Sequence, residues 1–402
     1  MSAKETSIAV TVKSSESRIL IFEPGSVGHR LTWLQYVTEA FLHIGYDVTW
    51  AVDLRAKTKG LVEDRLSKFL PGVDILSVFK EDGKWRGGSK INALEECRRL
   101  SGAGDVFINE FDEIASYLLR RAAFGIFPPP ALQGRLSGVY FRPRFLTDPF
   151  RPLGNMIKAA GFRRLSQNRW FKHLYFMDEY LFSTLKNERG ADQFHFLPDP
   201  WSGDFSGSAG SARAALAIPS DKFVFLHYGI GSRRKGLHLA LDAMETLRTQ
   251  TKPFLLCAGS INYDRKLLQR IAVIENNGSA RLLNRYISDA EERLCFCAAD
   301  VVLLPYIQHY GSSGILSRAA AAGKMVIASD EGLLAKRVRD HHLGLLFHRQ
   351  NKNELHKRMQ AVSILNPAEL DHFRMMSRKY AETCSRDAFC KALLLPWHPS
   401  RT

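Results

Sequence analysis

The first half of the chain alternates between the hydrophobic patterns of strands and helices. Residues Arg18–Glu23 form a short apolar run, and a glycine-containing turn follows it. Apolar residues then recur at helical spacing over residues 31–44, and Asp47–Val52 is the next strand-like run. Further strands are predicted at residues 73–78, 105–109, 138–141, 179–182 and 194–197. This alternation favours crossover connections and a mainly parallel, doubly wound α/β sheet.

The pattern lapses over residues 201–219, which are rich in serine and glycine, and then restarts. We therefore predict a first domain at residues 18–205, after a disordered tail at 1–17, and a second domain at 206–385. In the second domain a capping box, Ser288 to Glu291, opens a helix. Its predicted strands are residues 223–228, 254–258, 281–283, 301–304, 325–328 and 343–347, with a helix at 237–247. Ligands of doubly wound sheets bind at the carboxyl ends of the strands, so the active site is expected in a cleft between two such domains.

Composition places the chain among soluble globular proteins. Of its 402 residues, 45% are hydrophobic and 24% charged, which suffices for two substantial cores. No window approaches the roughly 18 uncharged apolar residues of a membrane span, so the sequence predicts a cytoplasmic protein. The six cysteines are scattered without metal-ligand spacing and are interpreted as buried free thiols.

The formal net charge of +15 indicates an acidic partner: a phosphate-bearing ligand, an anionic membrane surface or nucleic acid. Much of it lies in residues 141–176, where aromatic residues interleave with cations and Asp148 is the one acid. Such a segment suits a helix on the inner face of an anionic bilayer, which would make the protein a peripheral membrane protein. The alternative is a solvated basic face with its apolar side in the core. The cations are Arg142, Arg144, Arg151, Lys158, Arg163, Arg164, Arg169 and Lys172.

Two segments of the second domain have the character of phosphate-binding loops. A small-residue loop, residues 311–314, opens a helix that ends near Gly323, and a helix N-terminus offers free N–H groups and positive charge to a diphosphate. The turn at residues 228–236 follows a predicted strand and carries three consecutive cations. Of these, Arg233 and Lys235 are our candidates to neutralise a diphosphate leaving group. The further donor-site candidates are Gly231, His309, Tyr310, Gly311, Ser312, Ser313 and Gly314.

The first domain offers a separate set of candidates. Gly28 and His29 lie in its first strand-to-helix turn, whose glycine spacing is not that of a dinucleotide fingerprint. His29 suits a general base, or a donor to a sugar or phosphate, because its ordinary pKa is near neutrality. Glu110 and Asp112 follow another predicted strand, and either is a candidate to orient His29 or to bind a sugar hydroxyl.

The layout resembles the two-domain GT-B nucleotide-sugar glycosyltransferases, most closely the retaining group with an E-x7-E motif. Three features carry the resemblance: Gly229 with Lys235-Gly236, as in the family's G-R-x(4)-K-G loop; Leu-Pro-Asp-Pro at 197–200; and the stretch 311–330. The resemblance implies two Rossmann-like domains facing a central cleft, with the acceptor side first and the nucleotide-sugar side second. It also implies that a tail, residues 386–402, crosses back to the first domain.

The sequence departs from this family at its acidic motif. The two glutamates fall on Tyr310 and Arg318, and the phosphate-loop arginine falls on Ile230. By resemblance, the first glutamate contacts the donor sugar and the second the ribose. Tyr310 can still contact a sugar hydroxyl, whereas Arg318 implies altered ribose recognition or a phosphate contact. Arg233 can supply the charge that is missing at Ile230.

Residues 24–30 are also similar to inverting glycosyltransferases that act on lipids and small acceptors. In those enzymes a histidine after the first strand is the base and an aspartate holds it, roles that fall here on His29 and Asp112. In a retaining enzyme His29 would instead position the sugar or acceptor, and the sequence leaves both mechanisms open.

Together these features predict a glycosyltransferase that moves a hexose-type sugar from a nucleoside diphosphate donor to an acceptor hydroxyl. The acceptor would be a glycan or a lipid-linked molecule in surface polysaccharide or glycolipid biosynthesis. No DxD-like cluster is found, so we expect no metal and no cofactor beyond the donor. The alternatives are a catalytically inactive pseudo-glycosyltransferase that binds nucleotide or glycan or acts as a scaffold and, less favoured, a nucleic-acid binder or another enzyme on this fold.

Overall fold

The computed structural model describes residues 18–26, 30–69, 72–148, 152–247, 249, 251–261 and 264–397. The chain forms two compact units. The first runs to Leu197 and includes the chain from Cys390, and the second is Pro198–Phe389. The division falls just before the serine- and glycine-rich stretch. The predicted disordered tail at 1–17 lies outside the described residues, as do Gly28, His29 and Arg151.

In the described part of the first unit, seven parallel strands form one sheet in the order β3-β2-β1-β4-β5-β6-β7. Its strands are β1 (Arg18–Glu23), β2 (Asp47–Val52), β3 (Val73–Ser77), β4 (Asp105–Ile108), β5 (Leu136–Tyr140), β6 (Phe171–Phe176) and β7 (Phe194–Phe196). Its helices are α1 (Arg30–His43), α2 (Lys59–Leu66), α3 (Lys90–Ser101), α4 (Asp112–Ala123), α5 (Arg144–Thr147), α6 (Leu153–Gln167) and α7 (Glu179–Leu185).

The predicted strands at Arg18–Glu23 and Asp47–Val52 are confirmed, but the prediction for residues 179–182 is wrong. Asp178 begins a helix there, because its side chain accepts hydrogen bonds from the backbone N–H groups of Tyr180 and Leu181. The strand lies instead at Phe171–Phe176, so the basic segment 141–176 is not one helix but α5, α6 and β6.

The chain from Cys390 is fixed to the first unit through two aromatic residues. Trp397 donates from Nε1 to the hydroxyl of Tyr175 on β6 over 2.8 Å, and that hydroxyl donates to the carbonyl oxygen of Leu393 over 2.6 Å. The ring of Trp397 also packs against Phe41 of α1, with centroids 4.8 Å apart. The N–H of the buried tryptophan and the O–H of the buried tyrosine thus both have acceptors, while the two rings close the core.

The second unit repeats the design with six described strands in the order β10-β9-β8-β11-β12-β13. They are β8 (Lys222–Tyr228), β9 (Lys252–Ala258), β10 (Ala280–Leu283), β11 (Val301–Leu304), β12 (Met325–Ser329) and β13 (Gly344–Phe347). The helices are α8 (Ala209–Ala215), α9 (Leu237–Thr246), α10 (Arg265–Asn276), α11 (Asp289–Ala298), α12 (Gly314–Ala321), α13 (Gly332–Asp340), α14 (Lys352–Val362), α15 (Pro367–Thr383) and α16 (Arg386–Leu394). Helix α16 contains the point at which the chain leaves this unit. The capping box from Ser288 to Glu291 is confirmed.

Strand order reverses once in each sheet, between β1 and β4 and between β8 and β11. Connections from such a pair run to opposite faces of the sheet, so a crevice opens at the carboxyl ends of these strands. The predicted site residues of the two units directly follow these four strands. The doubly wound α/β fold class is therefore confirmed. None of the helices within the described ranges combines the length and apolar composition needed to cross a bilayer.

Two neighbouring histidines should make the stability of the chain sensitive to acid. His173 Nδ1 lies 3.1 Å from His195 Nε2, and burial lowers the pKa of His173 to about 3 and that of His195 to about 4. An unfolded histidine has a pKa of about 6.5. The unfolded chain therefore binds more protons between about pH 4 and 6.5, and stability is lost as the pH falls through that range.

We expect the Tm to fall steadily between pH 7 and pH 5, and to fall less steeply in His195→Gln. The control is His372→Gln, because His372 is an exposed histidine on α15. Differential scanning calorimetry at half-unit pH steps measures both slopes. A His195→Gln slope equal to that of the wild type would show that the histidine pair does not couple protons to folding.

Candidate functional site

The loop after β8 adopts backbone conformations that favour glycine at two points. Gly229 has a φ of +97°, and Gly236, just before α9, has a φ of +69°. A Cβ atom on Gly236 would lie 1.8 Å from the carbonyl oxygen of Pro305, the residue that follows β11. The loop after β8 therefore packs its backbone directly on the chain that leaves β11.

A buried histidine holds this loop from the sheet side. His227 Nε2 lies 3.2 Å from the carbonyl oxygen of Lys235, and burial lowers the pKa of His227 to about 4. The ring is therefore neutral near pH 7, and its Nε2–H donates to that carbonyl. Gly231, also predicted for this site, is buried, and its N–H donates to the carbonyl oxygen of Ser260 over 3.0 Å. The backbone around the predicted cations is thus fixed from two sides.

The two predicted cations of the loop have different surroundings. Lys235 is half-buried, and its Nζ lies 3.9 Å from the ring centroid of Tyr306, which is 1% exposed. An aromatic face attracts a cation and leaves its N–H donors available for an anion. Arg233 is exposed. Within the described ranges, neither Lys235 nor Arg233 forms an ion pair with a carboxylate.

Tyr306 brings the two predicted phosphate-binding elements together. Its ring carries Lys235 on one face, and its hydroxyl lies 3.5 Å from Oγ of Ser313, the N-cap residue of α12. The cationic loop and the start of α12 are therefore adjacent. This juxtaposition was predicted, but Tyr306 itself was not identified from the sequence.

Arg234, which was not selected from the sequence, joins the two loops. Its carbonyl oxygen accepts from Ile307 N–H over 2.9 Å, and its Nη1 lies 3.4 Å from Nδ1 of His309. His309 Nε2 lies 3.0 Å from the carbonyl oxygen of Ser312. Because an arginine only donates, His309 accepts at Nδ1 and donates at Nε2. His309, a predicted donor-sugar contact, thus also ties the two loops together.

A second tether holds the loop that precedes α12. Gln308 has a φ of +52°, and its N–H donates to Oε2 of Glu331 over 2.9 Å. The other oxygen of Glu331 pairs with Nη1 of Arg349 at 2.6 Å. Tyr310, two residues after Gln308, is 42% exposed, and Gly311 follows it in the same loop.

A carboxylate already lies at the start of α12. Ser312 Oγ donates to Oδ2 of Asp199 over 2.5 Å, and a Cβ atom on Gly314 would lie 3.6 Å from Oδ1 of Asp199. Asp199 is 8% exposed and faces the positive end of the helix. An anionic ligand here therefore needs neighbouring cations to offset this negative charge.

Arg318 lies one helical turn into α12 and holds a half-buried carboxylate. Its Nε donates to Oε1 of Glu292 over 3.0 Å, and its Nη1 donates to the carbonyl oxygen of Gly314 over 3.0 Å. Tyr228, the last residue of β8, donates from its hydroxyl to Oε2 of Glu292 over 2.6 Å. Arg318, which the sequence resemblance aligns with the family's second glutamate, thus pairs with a carboxylate from α11. Sequence reasoning missed Glu292, because nothing along the chain relates it to residue 318.

In the first unit, the buried Glu110 is one member of a charge network after β4. It pairs with Nη2 of Arg142 at 2.5 Å and with Nη2 of Arg30 at 2.9 Å. Arg30 also pairs with Glu23 of β1 at 3.0 Å, so the network spans the carboxyl ends of β1 and β4. The structure thus brings Glu110 to the predicted edge of the sheet.

Asp112 holds the chain that leaves β5. Its Oδ2 accepts from Phe141 N–H over 2.8 Å, and its Oδ1 accepts from Arg142 N–H over 3.1 Å. Burial raises the pKa of Asp112 to about 6, although the Arg142 guanidinium opposes this shift. Gly28 and His29, the remaining candidates of this unit, lie outside the described residues.

Residues 209–380 match the family model for glycosyl transferases group 1. No curated protein matches the sequence. Among solved structures, Alr3699/HepE from Anabaena, in complex with UDP and glucose, is similar with a TM-score of 0.67 and 15% identity, covering 94% of this chain and 99% of that one. Sucrose-phosphate synthase from Thermosynechococcus elongatus is similar with a TM-score of 0.65 and 15% identity, covering 94% and 98%.

The glycosyltransferase WaaG, which is involved in lipopolysaccharide biosynthesis, is similar with a TM-score of 0.63 and 13% identity, covering 93% of this chain and 99% of that one. All three likenesses extend over nearly the whole chain, which agrees with the two doubly wound sheets. The chain therefore has the two-domain GT-B fold, and its second domain matches the glycosyl transferases group 1 family.

Proposed function

We propose that this protein is a glycosyltransferase that moves a sugar from a nucleoside diphosphate donor to an acceptor hydroxyl, in surface polysaccharide or glycolipid biosynthesis. The observation that carries the proposal is the contact of Lys235 and Ser313 with Tyr306, which joins a cationic loop to a helix start at the switch point of the second sheet. The family match of residues 209–380 and the UDP bound to Alr3699/HepE support a nucleotide-sugar donor.

In this proposal, Lys235 and Arg233 neutralise the charge that develops on the departing diphosphate, while the N–H groups at the start of α12 hold its oxygens. Tyr310 contacts the donor sugar.

Since cations of the chain supply the neutralising charge, transfer should proceed without a divalent metal. We expect 5 mM EDTA to leave the rate unchanged, and restoration of an EDTA-inhibited rate by Mg²⁺ or Mn²⁺ would refute metal independence.

Glu292 is assigned to the ribose of the donor. Arg318 hydrogen-bonds both Glu292 and Gly314, which places this carboxylate within reach of a nucleoside whose phosphates lie at the start of α12. Each carboxylate oxygen can accept more than one hydrogen bond, so Glu292 can receive ribose hydroxyls beside Arg318 and Tyr228.

Glu292→Gln should therefore reduce the preference for ribose over deoxyribose. We expect the wild type to bind UDP at least about tenfold more tightly than 2′-deoxy-UDP, because the 2′-hydroxyl would donate a hydrogen bond to a charged carboxylate. The variant should bind both nucleotides with similar Kd. Tyr228→Phe is the comparison, because it disturbs the support of Glu292 while keeping the carboxylate. An unchanged UDP to deoxy-UDP ratio in Glu292→Gln, measured by calorimetry, would contradict the assignment.

In the first domain, His29 is assigned to the acceptor hydroxyl, as its base in an inverting reaction or as a positioning group in a retaining one. Asp112 accepts two backbone hydrogen bonds and retains lone pairs for a histidine N–H, so it is the proposed partner of His29. Glu110, fixed by two arginines, sets the charge beside Asp112.

A thermal-shift panel of UDP, GDP, ADP, TDP and CMP with their sugar conjugates tests the proposal directly. A ligand that binds only the folded state raises the Tm by mass action, by an amount equivalent to about 2.7 kcal/mol at a hundredfold excess over Kd. We expect one nucleoside diphosphate to raise the Tm. The absence of any shift across the panel would overturn a nucleotide-sugar function.

A pseudo-glycosyltransferase is the second candidate, and the Arg318–Glu292 ion pair together with Asp199 at the start of α12 favours it. Such a protein would bind the nucleotide without turning it over. Release of UDP from UDP-sugar with an extract of membrane lipids and glycans as acceptor would exclude this alternative.

A further inference from the structure

Three of the cations in the basic segment 141–176 are already neutralised. Arg142 pairs with Glu110, Arg169 with Asp192 and Lys172 with Asp105. The segment is therefore not a uniform basic surface, and the cations available to a partner must be sought among its other basic residues and on the helices that pack against it.

Helix α6 carries three of the remaining cations of this segment, Lys158, Arg163 and Arg164, and the adjacent helix α4 adds Arg120. The helices are in close contact, since a Cβ atom on Gly161 of α6 would lie 1.8 Å from the carbonyl oxygen of Leu119 on α4. Arg120 on α4 and Arg163 and Arg164 on α6 are exposed. Among the residues that the structure describes, no carboxylate forms an ion pair with any of these three arginines.

Lys158 on α6 lies close enough to Arg120 and Arg144 to be affected by their charge. The pKa of Lys158 on α6 is lowered mainly by burial, and Arg120 and Arg144 lower it further. The side chain of Arg164 lies 3.9 Å from the Cβ position of Gly125, at the end of α4. The repulsion between neighbouring like charges is relieved by an anionic surface.

The same face exposes large apolar side chains. Phe124, which follows α4, and Leu153 on α6 are each 73% exposed, and Met156 is 56% exposed. Scattered exposed apolar residues are common, but here they lie on or next to the same two adjacent helices as Arg120, Arg163 and Arg164. Side chains of this kind enter the acyl boundary of a bilayer while the cations bind lipid phosphates.

We propose that this α4–α6 face, formed by Arg120, Phe124, Leu153, Met156, Arg163 and Arg164, docks the protein on an anionic lipid bilayer. Proteins that bind single-stranded nucleic acid stack its bases on aromatic side chains. Two of the three apolar residues of this face are aliphatic, so the face fits a bilayer better than a nucleic acid. The proposal deepens the proposed function, because a docked enzyme meets a lipid-linked acceptor at the anionic leaflet that faces the cytoplasm.

The test is sedimentation of the full chain with vesicles of phosphatidylcholine with 30% phosphatidylglycerol, and with pure phosphatidylcholine, at 0.1 M salt. Each neutralised cation near such a surface is worth about 1 kcal/mol, so Arg120→Gln/Arg163→Gln/Arg164→Gln should weaken binding about a hundredfold. Phe124→Ser/Leu153→Ser/Met156→Ser should weaken it at least tenfold. Arg169→Gln, an exposed arginine paired with Asp192, is the matched control and should bind as the wild type does.

The Tm shift with UDP is recorded for every variant, which separates loss of docking from misfolding and from failure of the proposed function. Vesicle binding equal to that of the wild type in both triple variants would overturn the proposal. It would also be overturned if a 20-nucleotide single-stranded RNA bound more tightly than the anionic vesicles and lost affinity with the same arginine variant.

Discussion

Replacing Lys235 with alanine is expected to lower kcat/KM for sugar transfer by about 10²–10³-fold and to abolish the rise in Tm caused by UDP. The ammonium group is held over Tyr306, beside the start of α12, and forms no ion pair with a described carboxylate. With Asp199 already placing negative charge at that helix start, the diphosphate depends on Lys235 for charge balance. The loss should therefore affect both ligand binding and departure of the leaving group.

The control is Lys357→Ala, because Lys357 is an exposed lysine on α14 and the substitution removes the same charge from the chain. It should leave kcat/KM and the UDP-induced Tm shift unchanged. Lys235→Arg distinguishes charge from geometry, since a planar guanidinium can stack on Tyr306 but presents its donors differently. If Lys235→Ala keeps the UDP shift within experimental error, the diphosphate does not bind at this loop.

Much of the fold is predictable from the sequence because buried parallel strands have a strong apolar signature. Arg18–Glu23 and Asp47–Val52 are short apolar runs bounded by polar residues, and both are strands with the predicted bounds. The capping box at Ser288 could be predicted from the sequence for the same reason, since it depends on two residues three positions apart. Local chemistry fixes such elements, and tertiary contacts need not be known.

The basic segment shows where this reasoning is insufficient. In Phe171–Phe176, a lysine and a histidine interrupt the apolar residues, so the segment does not read as a buried strand. Lys172 is nevertheless accommodated on β6 because Asp105 of β4 pairs with it at 2.6 Å, and His173 because His195 lies beside it. Both partners are more than twenty residues away in the chain.

The candidate site divides in the same way. Glycines and cations next to predicted strand ends identified the loop around Lys235 and the start of α12 as candidate sites. The residues that contact these two segments lie on other elements, and their contacts were not predicted. Tyr306 and Glu292 have no local pattern that sets them apart, and the Leu-Pro-Asp-Pro segment that contains Asp199 gave no sign that its carboxylate lies at the start of α12. Their roles follow from tertiary contacts: a ring beneath Lys235, an ion pair with Arg318 and a hydrogen bond from Ser312.

The second large effect is expected for Gly236→Ala. Gly236 has a φ of +69°, and Gly278, in the turn after α10, has a φ of +66°. Alanine in this left-handed region costs about 1–2 kcal/mol at either position. A Cβ atom on Gly236 would also meet the carbonyl oxygen of Pro305 at 1.8 Å, whereas Gly278 has nothing within 4 Å of that position.

Because backbone atoms cannot yield as a flexible side chain can, Gly236→Ala must move the loop after β8 away from β11. We expect it to lower the free energy of unfolding by more than about 3 kcal/mol and to remove UDP binding, since Lys235 would move off Tyr306. Gly278→Ala should lower the free energy of unfolding only by the cost of placing alanine in the left-handed region, and it should keep UDP binding. Urea unfolding and UDP calorimetry on both variants measure the difference, and equal costs at the two glycines would show that the close approach of the two loops does not constrain the site.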